Sequence, residues 1–285
     1  MLRMETASGW WLITHVDHAR LAAAFAGHWG NDLFLPPEPR AEVLRAIALH
    51  DDGWAERDAR PQTTRQGKPS AFSMELVGKY SAFEEIELED YLAVRDRAVR
   101  LVAEVDPYAA LLVSMHTWDL LSNRSDRSTI APEKLPLLEA FLARQKDFQG
   151  ELYAAIIARP SFQADEVRGS RIEEHFRLLQ ATDNLSLLSC VGYNKAATLL
   201  HALPLRSGGS RPVSVEVLGE RHFRLEPYPF DAPSLTFEFP ARHVEGAVFA
   251  TAEEFQQRFA AAPLSTQTVT VEGPGGPRTA VGEGH

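Results

Sequence analysis

The fold of this chain is decided around an apolar stretch that ends in two polar residues, AEVLRAIALHD at residues 41–51. Its apolar residues recur at helical spacing, and the pattern predicts a helix that closes with His50 and Asp51. If Ile47 faces the core, His50 and Asp51 follow three and four residues later and share its face. Two polar side chains aimed inward need partners, because an unpaired buried carboxylate is costly. A metal ion and a plain hydrogen-bond network are the two answers that this stretch leaves open.

The composition is that of a folded protein with an acidic surface. At 285 residues and 45% apolar content, the chain is long and apolar enough for a sizeable core. Its 29 basic and 39 acidic side chains leave a formal charge of -10, which argues against binding to a nucleic-acid polymer. A small-molecule partner, including a phosphorylated one, stays compatible, since a bound metal supplies local positive charge. The composition does not determine the oligomeric state.

Cysteine content and hydropathy bear on where the protein works. Cys190 is the single cysteine, so no internal disulfide and no cysteine-rich zinc site can form. Residues 1–6 lack the apolar core and cleavage site of a signal peptide. No apolar run approaches the roughly 20 residues of a membrane span. We therefore expect a cytoplasmic protein that does not enter a membrane.

Residues 1–204 are predicted to form a mostly helical body that includes a short strand at residues 10–14. The polar, turn-rich segment 55–82 is interpreted as a long loop of the kind that often carries function. Helices are predicted at about 18–29, 41–51, 89–105, 107–121, 132–158 and 166–191.

After residue 204 the pattern changes to alternating polar and apolar residues. This alternation predicts strands near 213–217, 223–225, 235–239 and 268–272, with one short helix from a capping box at residue 251. The expected fold class is α+β, a mainly helical body with a small C-terminal antiparallel β appendage. The expected domains are 1–204 for the body, 205–272 for the appendage and 273–285 for a disordered tail.

Residues able to bind a metal recur on the apolar stripes of four predicted helices. A lone histidine on an apolar face is usually a core residue. Histidine and aspartate residues on the apolar faces of four successive helices instead favour one shared polar site. Imidazole and carboxylate groups suit divalent zinc, manganese, iron or magnesium. Such an ion makes a nucleophile of water by lowering its pKa toward neutrality. The candidate ligands are His18, His50, Asp51, His116 and Asp183.

Asp52 and Asp58 follow the doublet closely, and we predict that they line the same cavity as catalytic residues. A carboxylate at a helix C-terminus interacts unfavourably with the helix dipole. This mild misfit at Asp52 favours a role in the site.

The order of His18, the His50-Asp51 doublet and Asp183 resembles the HD-domain superfamily of metal-dependent phosphohydrolases. His116 stands where some members of that superfamily supply an extra histidine. The resemblance covers about residues 15–195. It implies an HD-like helical body in which these side chains surround the metal.

A second resemblance covers nearly the whole chain. Its motifs are DHA at 17–19, HWG at 28–30, HDDGW at 50–54 and DNLSL at 183–187. They are similar to an uncharacterised bacterial family known as domain of unknown function 3891. This resemblance implies no activity, substrate or catalytic residue.

The leading functional hypothesis is a metal-dependent hydrolase of HD-like type that acts on a phosphorylated small molecule, either a phosphomonoester, a phosphodiester or a nucleotide. The five candidate ligands would hold one or two ions, while Asp52 or Asp58 would assist with protons. Two alternatives stay open. One is a non-catalytic ligand-binding or structural helical protein with a buried polar network, and the other is an HD-type iron oxygenase.

Overall fold

The computed structural model describes residues 1–77, 86–160, 162 and 168–275. Its helices are α1 (His15–Gly27), α2 (Arg40–Leu49), α3 (Ala55–Asp58), α4 (Leu88–Val105), α5 (Pro107–Asn123), α6 (Leu135–Ile157), α7 (Gly169–Cys190) and α8 (Ala252–Ala261). Its strands are β1 (Leu2–Glu5), β2 (Gly9–Ile13), β3 (Ala197–Thr198), β4 (Leu203–Pro204), β5 (Ser210–Arg211), β6 (Ser214–Gly219), β7 (His222–Glu226), β8 (Ser234–Glu245) and β9 (Leu264–Glu272).

Seven strands of the described residues form one curled, mixed sheet in the order β1-β2-β8-β9-β7-β6-β3. Strand β9 lies between β7 and β8, antiparallel to β8 and parallel to β7. Because β7 and β8 run in opposite directions, a strand inserted between them must be parallel to one of them. Strands β4 and β5 pair separately with each other.

The predicted fold class is wrong, because the sheet is not a small antiparallel appendage on a mainly helical body. The chain is 49% helix and 21% strand, and the sheet is a seven-stranded half-barrel that includes parallel pairing. The N-terminal strands enlarge it: β2 pairs with β8, with Gly9 opposite Glu245, and β1 pairs with β2. Alternation along a strand predicts the strand, but it carries no information about a partner far away in the sequence.

Helices and sheet share one hydrophobic core. Phe25 of α1 is fully buried and meets Phe237 of β8 edge to face, with 4.8 Å between ring centroids. The same cluster contains residues of α2, α5, α7 and of strands β6, β7 and β9. Since α1 also packs against α2 and α7, it connects the sheet to the helices that carry the polar residues.

The start of α1 is set by a side-chain cap. The capping residue is Thr14. Its Oγ1 accepts a hydrogen bond from the backbone N–H of Asp17 at 3.0 Å and donates to Asp17 Oδ2 at 2.6 Å. An N-cap of this kind satisfies a backbone donor that the helix leaves free. The helix begins at His15 and so places His18, which is 1% exposed, in its buried face.

Helix α2 ends just before the two polar residues. Leu49 is its last residue, His50 keeps helical angles (φ -60°, ψ -24°), and Asp51 departs from them (φ -116°, ψ 13°). Both side chains are nevertheless buried, at 0% and 4% exposed. The change of direction after His50 therefore leaves both polar groups facing the interior.

Gly53, in the short 3-10 turn Asp52–Trp54, is required by a close approach to α4. A Cβ atom at Gly53 would lie 2.2 Å from the carbonyl oxygen of Val94 and 2.8 Å from the backbone nitrogen of Ala98. Gly53 is not among the positive-φ glycines of the described residues, so a left-handed conformation is not the reason for glycine here. The absence of a side chain lets the turn contact the backbone of α4.

The structure bears differently on the predicted domain boundary, the predicted long loop and the predicted C-terminal tail. The domain boundary at residue 204 stays a prediction, although the sheet combines strands from both sides of it. The predicted loop 55–82 contains α3 and a 3-10 turn at Met74–Leu76, and its residues 78–82 lie outside the described residues. The predicted tail lies outside them from residue 276 onward. None of the helices that the described residues form combines the length and hydrophobicity needed to cross a membrane.

Candidate metal centre

The structure brings all five sequence-predicted ligands into one buried cluster. They come from the first turns of α1, the C-terminal end of α2 and the middles of α5 and α7. None is more than 7% exposed. The cluster comprises His18, His50, Asp51, His116 and Asp183.

The five side chains form two overlapping groups that can each hold a metal ion. One group is His18, His50 and Asp51, and the other is His50, His116 and Asp183. Within each group the potential ligand atoms all lie within 4.8 Å of one another. His50 belongs to both groups and is the centre of the cluster.

The hydrogen bonds of His18 determine which ring nitrogen carries its proton. Ser186 Oγ has one hydrogen and donates it to the backbone carbonyl of Asp183 at 2.8 Å. It must therefore accept from His18 Nδ1–H, which lies 2.9 Å away. In the neutral imidazole, Nε2 then carries a lone pair, and it faces Asp51 Oδ2 at 3.1 Å. Two acceptors then face each other, and either a proton on Nε2 or a cation beside the pair satisfies both.

His50 is oriented in the same way by the backbone. Its Nδ1–H donates to the carbonyl oxygen of Ile47 at 2.8 Å, because a carbonyl can only accept. Nε2 is buried and has no hydrogen-bond partner among the described residues. The nearest carboxylate oxygens are Asp183 Oδ1 at 3.4 Å and Asp51 Oδ2 at 3.7 Å. An orphaned buried nitrogen beside two carboxylates has the donor chemistry of a divalent metal site.

His116 is the most distant member of the cluster. Its Nε2 lies 3.9 Å from Asp183 Oδ2. Burial lowers the pKa of His116 to about 3, against the opposing attraction of Asp183. The imidazole is therefore neutral at physiological pH, the protonation state that a metal ligand requires.

Arg95 of α4 completes the cluster and was not predicted from the sequence. Its Nη1 donates to Asp51 Oδ1 at 2.6 Å, and its Nε donates to the hydroxyl of Tyr91 at 3.2 Å. The guanidinium carbon lies 5.4 Å from the ring centroid of Trp54 and 5.2 Å from that of Tyr91. Cation–π contacts and a hydrogen-bonded carboxylate thus hold this 7% exposed arginine in place.

The charges of the cluster leave a deficit of positive charge. Burial opposes ionisation of Asp51, but Arg95 outweighs it and holds the pKa of that carboxyl well below its usual range. The pKa of Asp183 is also lowered against burial, mainly by His50. Two carboxylates then face one guanidinium. Without a metal, a proton on His50 supplies the missing positive charge. Burial opposes this protonation, but Asp51 and Asp183 outweigh it and raise the pKa of His50 to about 9.

Asp58 lies outside this cluster, in a buried group of its own. Its Oδ2 accepts from the backbone N–H of His15 at 2.6 Å, and its Oδ1 accepts from the α-amino group of Met1 at 2.8 Å. The His15 ring also contacts this carboxylate and stacks on Trp54, with 4.4 Å between ring centroids. Burial opposes ionisation, but the His15 and Met1 groups hold the pKa of Asp58 well below its usual range. A proton-transfer role for Asp58 stays a prediction.

Asp58→Asn is expected to lower the free energy of unfolding by about 2 kcal/mol near neutral pH, because it removes a charged, buried acceptor. A carboxyl with a lowered folded-state pKa stabilises the fold above its unfolded pKa, and this contribution disappears as the pH falls. The difference between variant and wild type should therefore shrink in urea titrations at progressively lower pH. Asp231→Asn, at an exposed pair with His28, is the control and should change stability little. An Asp58→Asn loss that does not depend on pH would contradict this account.

Asp52 lies next to the cluster but makes no hydrogen bond or ion pair with its members in the described part of the chain. It is half-buried in the 3-10 turn after Asp51, and its Oδ1 is buried without a hydrogen-bond partner among the described residues. Burial raises the pKa of Asp52. A raised pKa brings a carboxyl nearer to the range in which it can exchange protons.

Arg95 and Ser186 are the functional candidates that sequence reasoning missed. Arg95 lies four residues after Tyr91 and four before Val99, in the buried stripe of α4. An arginine on an apolar stripe is a signal that could have identified it, since arginine is rarely buried without a partner. Ser186 is three residues after Asp183 and shares its helix face.

Together the fold and the cluster define a protein of mixed helix and sheet with buried His/Asp groups that can hold a metal ion. The sequence profile of a family described as "Protein of unknown function (DUF3891)" matches residues 1–246. The chain belongs to this family, which confirms the resemblance to domain of unknown function 3891. Searches of curated proteins and of solved structures found no match.

Proposed function

We propose that this protein is a metal-dependent hydrolase whose buried His/Asp cluster binds a divalent ion and whose substrate is a phosphorylated small molecule. The observation that carries the proposal is the orientation of two imidazoles. In His18 and in His50, Nδ1–H donates a hydrogen bond to a fixed neighbour, and Nε2 faces carboxylate oxygens. Metal-ligating histidines are usually oriented in this way by a partner on the second ring nitrogen.

The residues around the cluster prepare it for an ion. Ser186 and the Ile47 carbonyl orient the two imidazoles, and Arg95 holds the Asp51 carboxylate by one oxygen. Burial of the whole group strengthens its electrostatic interactions. When bound, a divalent ion supplies a Lewis acid that lowers the pKa of water toward neutrality.

Asp52 is the better supported of the two predicted proton-transfer residues. It is half-buried, its pKa is raised, and its Oδ1 has no hydrogen-bond partner among the described residues. Asp58 is fully engaged with His15 and Met1, and its pKa is lowered. A carboxyl that is free of ion pairs is better suited to accept and release a proton at Oδ1.

The substrate class is supported by the order of the ligands and by the charge of the chain. The order His18, His50-Asp51 and Asp183 resembles that of the HD-domain phosphohydrolases, which favours a phosphomonoester, a phosphodiester or a nucleotide. The net charge of -10 disfavours a nucleic-acid polymer. The single cysteine, Cys190, is buried, and we place the protein in the cytoplasm, where free thiols persist.

The test uses the full chain after removal and return of metal. Protein stripped with a chelator is reloaded with zinc, manganese, iron or magnesium, and bound ion is counted by elemental analysis. Phosphate release is then measured from p-nitrophenyl phosphate, a bis-ester and nucleotides. We expect stoichiometric ion binding and hydrolysis only in the loaded protein. Absence of ion binding at saturation would instead identify a non-catalytic polar network, and oxygen uptake by the iron form without hydrolysis would identify an oxygenase.

Ser186→Ala is expected to weaken metal binding about 10- to 100-fold, because it removes the acceptor that orients His18. The measurement is a competition titration against a chelating dye. Ser189→Ala is the matched control, since Ser189 is also buried on α7 but donates to the carbonyl oxygen of Leu185 at 2.8 Å. Equal affinities in the two variants would show that the hydrogen bond to His18 does not support metal binding.

A further inference from the structure

We propose that Arg95 limits this centre to a single divalent ion. The inference rests on the proposed function only in requiring that the cluster binds metal. It concerns the number of ions and the residue that determines it.

The two groups of candidate ligands share His50. The Nδ1–H of His50 donates to the Ile47 carbonyl, so Nε2 is the ring nitrogen that can bind an ion. A single lone pair binds one ion, and the two groups of three cannot both be filled. If the ion takes His50 with His116 and Asp183, a second ion would have His18 and Asp51 as its ligands from the cluster.

The geometry of Asp51 also disfavours a second ion. Two neighbouring ions are commonly joined by a carboxylate that gives one oxygen to each. Asp51 Oδ2 faces the imidazoles of His18 and His50, but Oδ1 accepts from Arg95 Nη1 at 2.6 Å. The guanidinium is itself fixed against the rings of Trp54 and Tyr91. Asp51 is therefore held in a geometry that leaves one oxygen for metal.

The net charge of the cluster and Arg95 likewise disfavours a second ion. The carboxylates of Asp51 and Asp183 oppose one guanidinium, and one divalent ion leaves a small positive excess that a single hydroxide would cancel. A second divalent ion would add two positive charges to a group of side chains that are each at most 7% exposed. Uncompensated charge in such surroundings is strongly unfavourable. Arg95 takes the place that a second cation would otherwise fill.

The experiment is a Mn²⁺ titration of the metal-free full chain, followed by electron paramagnetic resonance. We expect wild type to saturate at one ion per chain with the six-line spectrum of an isolated Mn²⁺. Two ions with a spin-coupled spectrum would overturn the inference while leaving the proposed function intact. No binding at all would mean that the proposed function has failed.

Three arginine variants test the residue itself, with circular dichroism as the check on folding. Arg95→Met frees Asp51 Oδ1 and removes a charge, and we expect two coupled ions per chain. Arg95→Lys keeps the charge and should keep one ion. Arg97→Met is the matched control on α4, at an exposed pair with Glu56, and should also keep one. A folded Arg95→Met protein that still binds one ion would overturn the role of Arg95, and the wild-type count decides the stoichiometry if that variant does not fold.

Discussion

Asp51→Ala is expected to lower the free energy of unfolding by about 3–5 kcal/mol in the presence of a chelator. The substitution leaves the guanidinium of Arg95, which is 7% exposed, without its carboxylate partner. It also removes the oxygen that faces His18 and His50. We therefore expect binding of divalent ions to be lost as well. Urea denaturation measures the first effect and elemental analysis of protein loaded with Mn²⁺ measures the second.

The control for Asp51→Ala is the neighbouring substitution Asp52→Ala. Asp52 is half-buried and makes no ion pair with the cluster in the described part of the chain. Its removal should cost under about 1 kcal/mol, as is usual for side chains without a specific buried partner. Similar losses of unfolding free energy in the two variants would contradict the burial of the ion pair between Asp51 and Arg95.

Gly53→Ala is expected to destabilise the protein by about 3 kcal/mol, at the upper end of the usual cost of overpacking. The added methyl group would lie 2.2 Å from the carbonyl oxygen of Val94 and 2.8 Å from the nitrogen of Ala98. Both are backbone atoms, so no change of rotamer can relieve the contact. Helix α4 must shift instead, and Arg95, the residue after Val94, would shift with it. We expect metal affinity to fall together with stability.

Gly150→Ala is the control for Gly53→Ala, since both add one methyl group. Gly150 lies within α6, and a Cβ atom there meets nothing within 4 Å. Alanine in a helix interior is more favourable than glycine by about 0.5–1 kcal/mol. The urea midpoint of unfolding should therefore fall for Gly53→Ala and rise for Gly150→Ala. An unchanged unfolding midpoint for Gly53→Ala would contradict the close approach of the turn to α4.

The helices of the candidate site could be predicted because their signal is local. The predicted helix 89–105 corresponds to α4 at Leu88–Val105, and 107–121 corresponds to α5 at Pro107–Asn123. The recurrence of apolar residues also predicted which face of each helix is buried. For that reason the five polar residues on those faces could be proposed as one cluster before their distances were known.

Other features had no local signal. Strand β2 was predicted as a short strand, but its pairing with β8 depends on residues at the other end of the chain. The requirement for glycine at position 53 comes from the backbone of α4, which the sequence of the turn itself does not show. Arg95 differs from these two, since its place on the apolar stripe of α4 is a local signal, although a charged residue on a helix is ordinarily exposed.

The sequence by itself determined the five candidate ligands and the helices that carry them, because helical periodicity is a property of neighbouring residues. Tertiary structure alone decided what those residues face. It set Asp51 against Arg95 across a separation of 44 residues, directed the free nitrogen of His50 toward Asp183, and joined both ends of the chain in one sheet. These arrangements depend on packing between segments that are distant in the sequence. Such contacts do not produce a repeating pattern among neighbouring residues, so they cannot be recognised from periodicity.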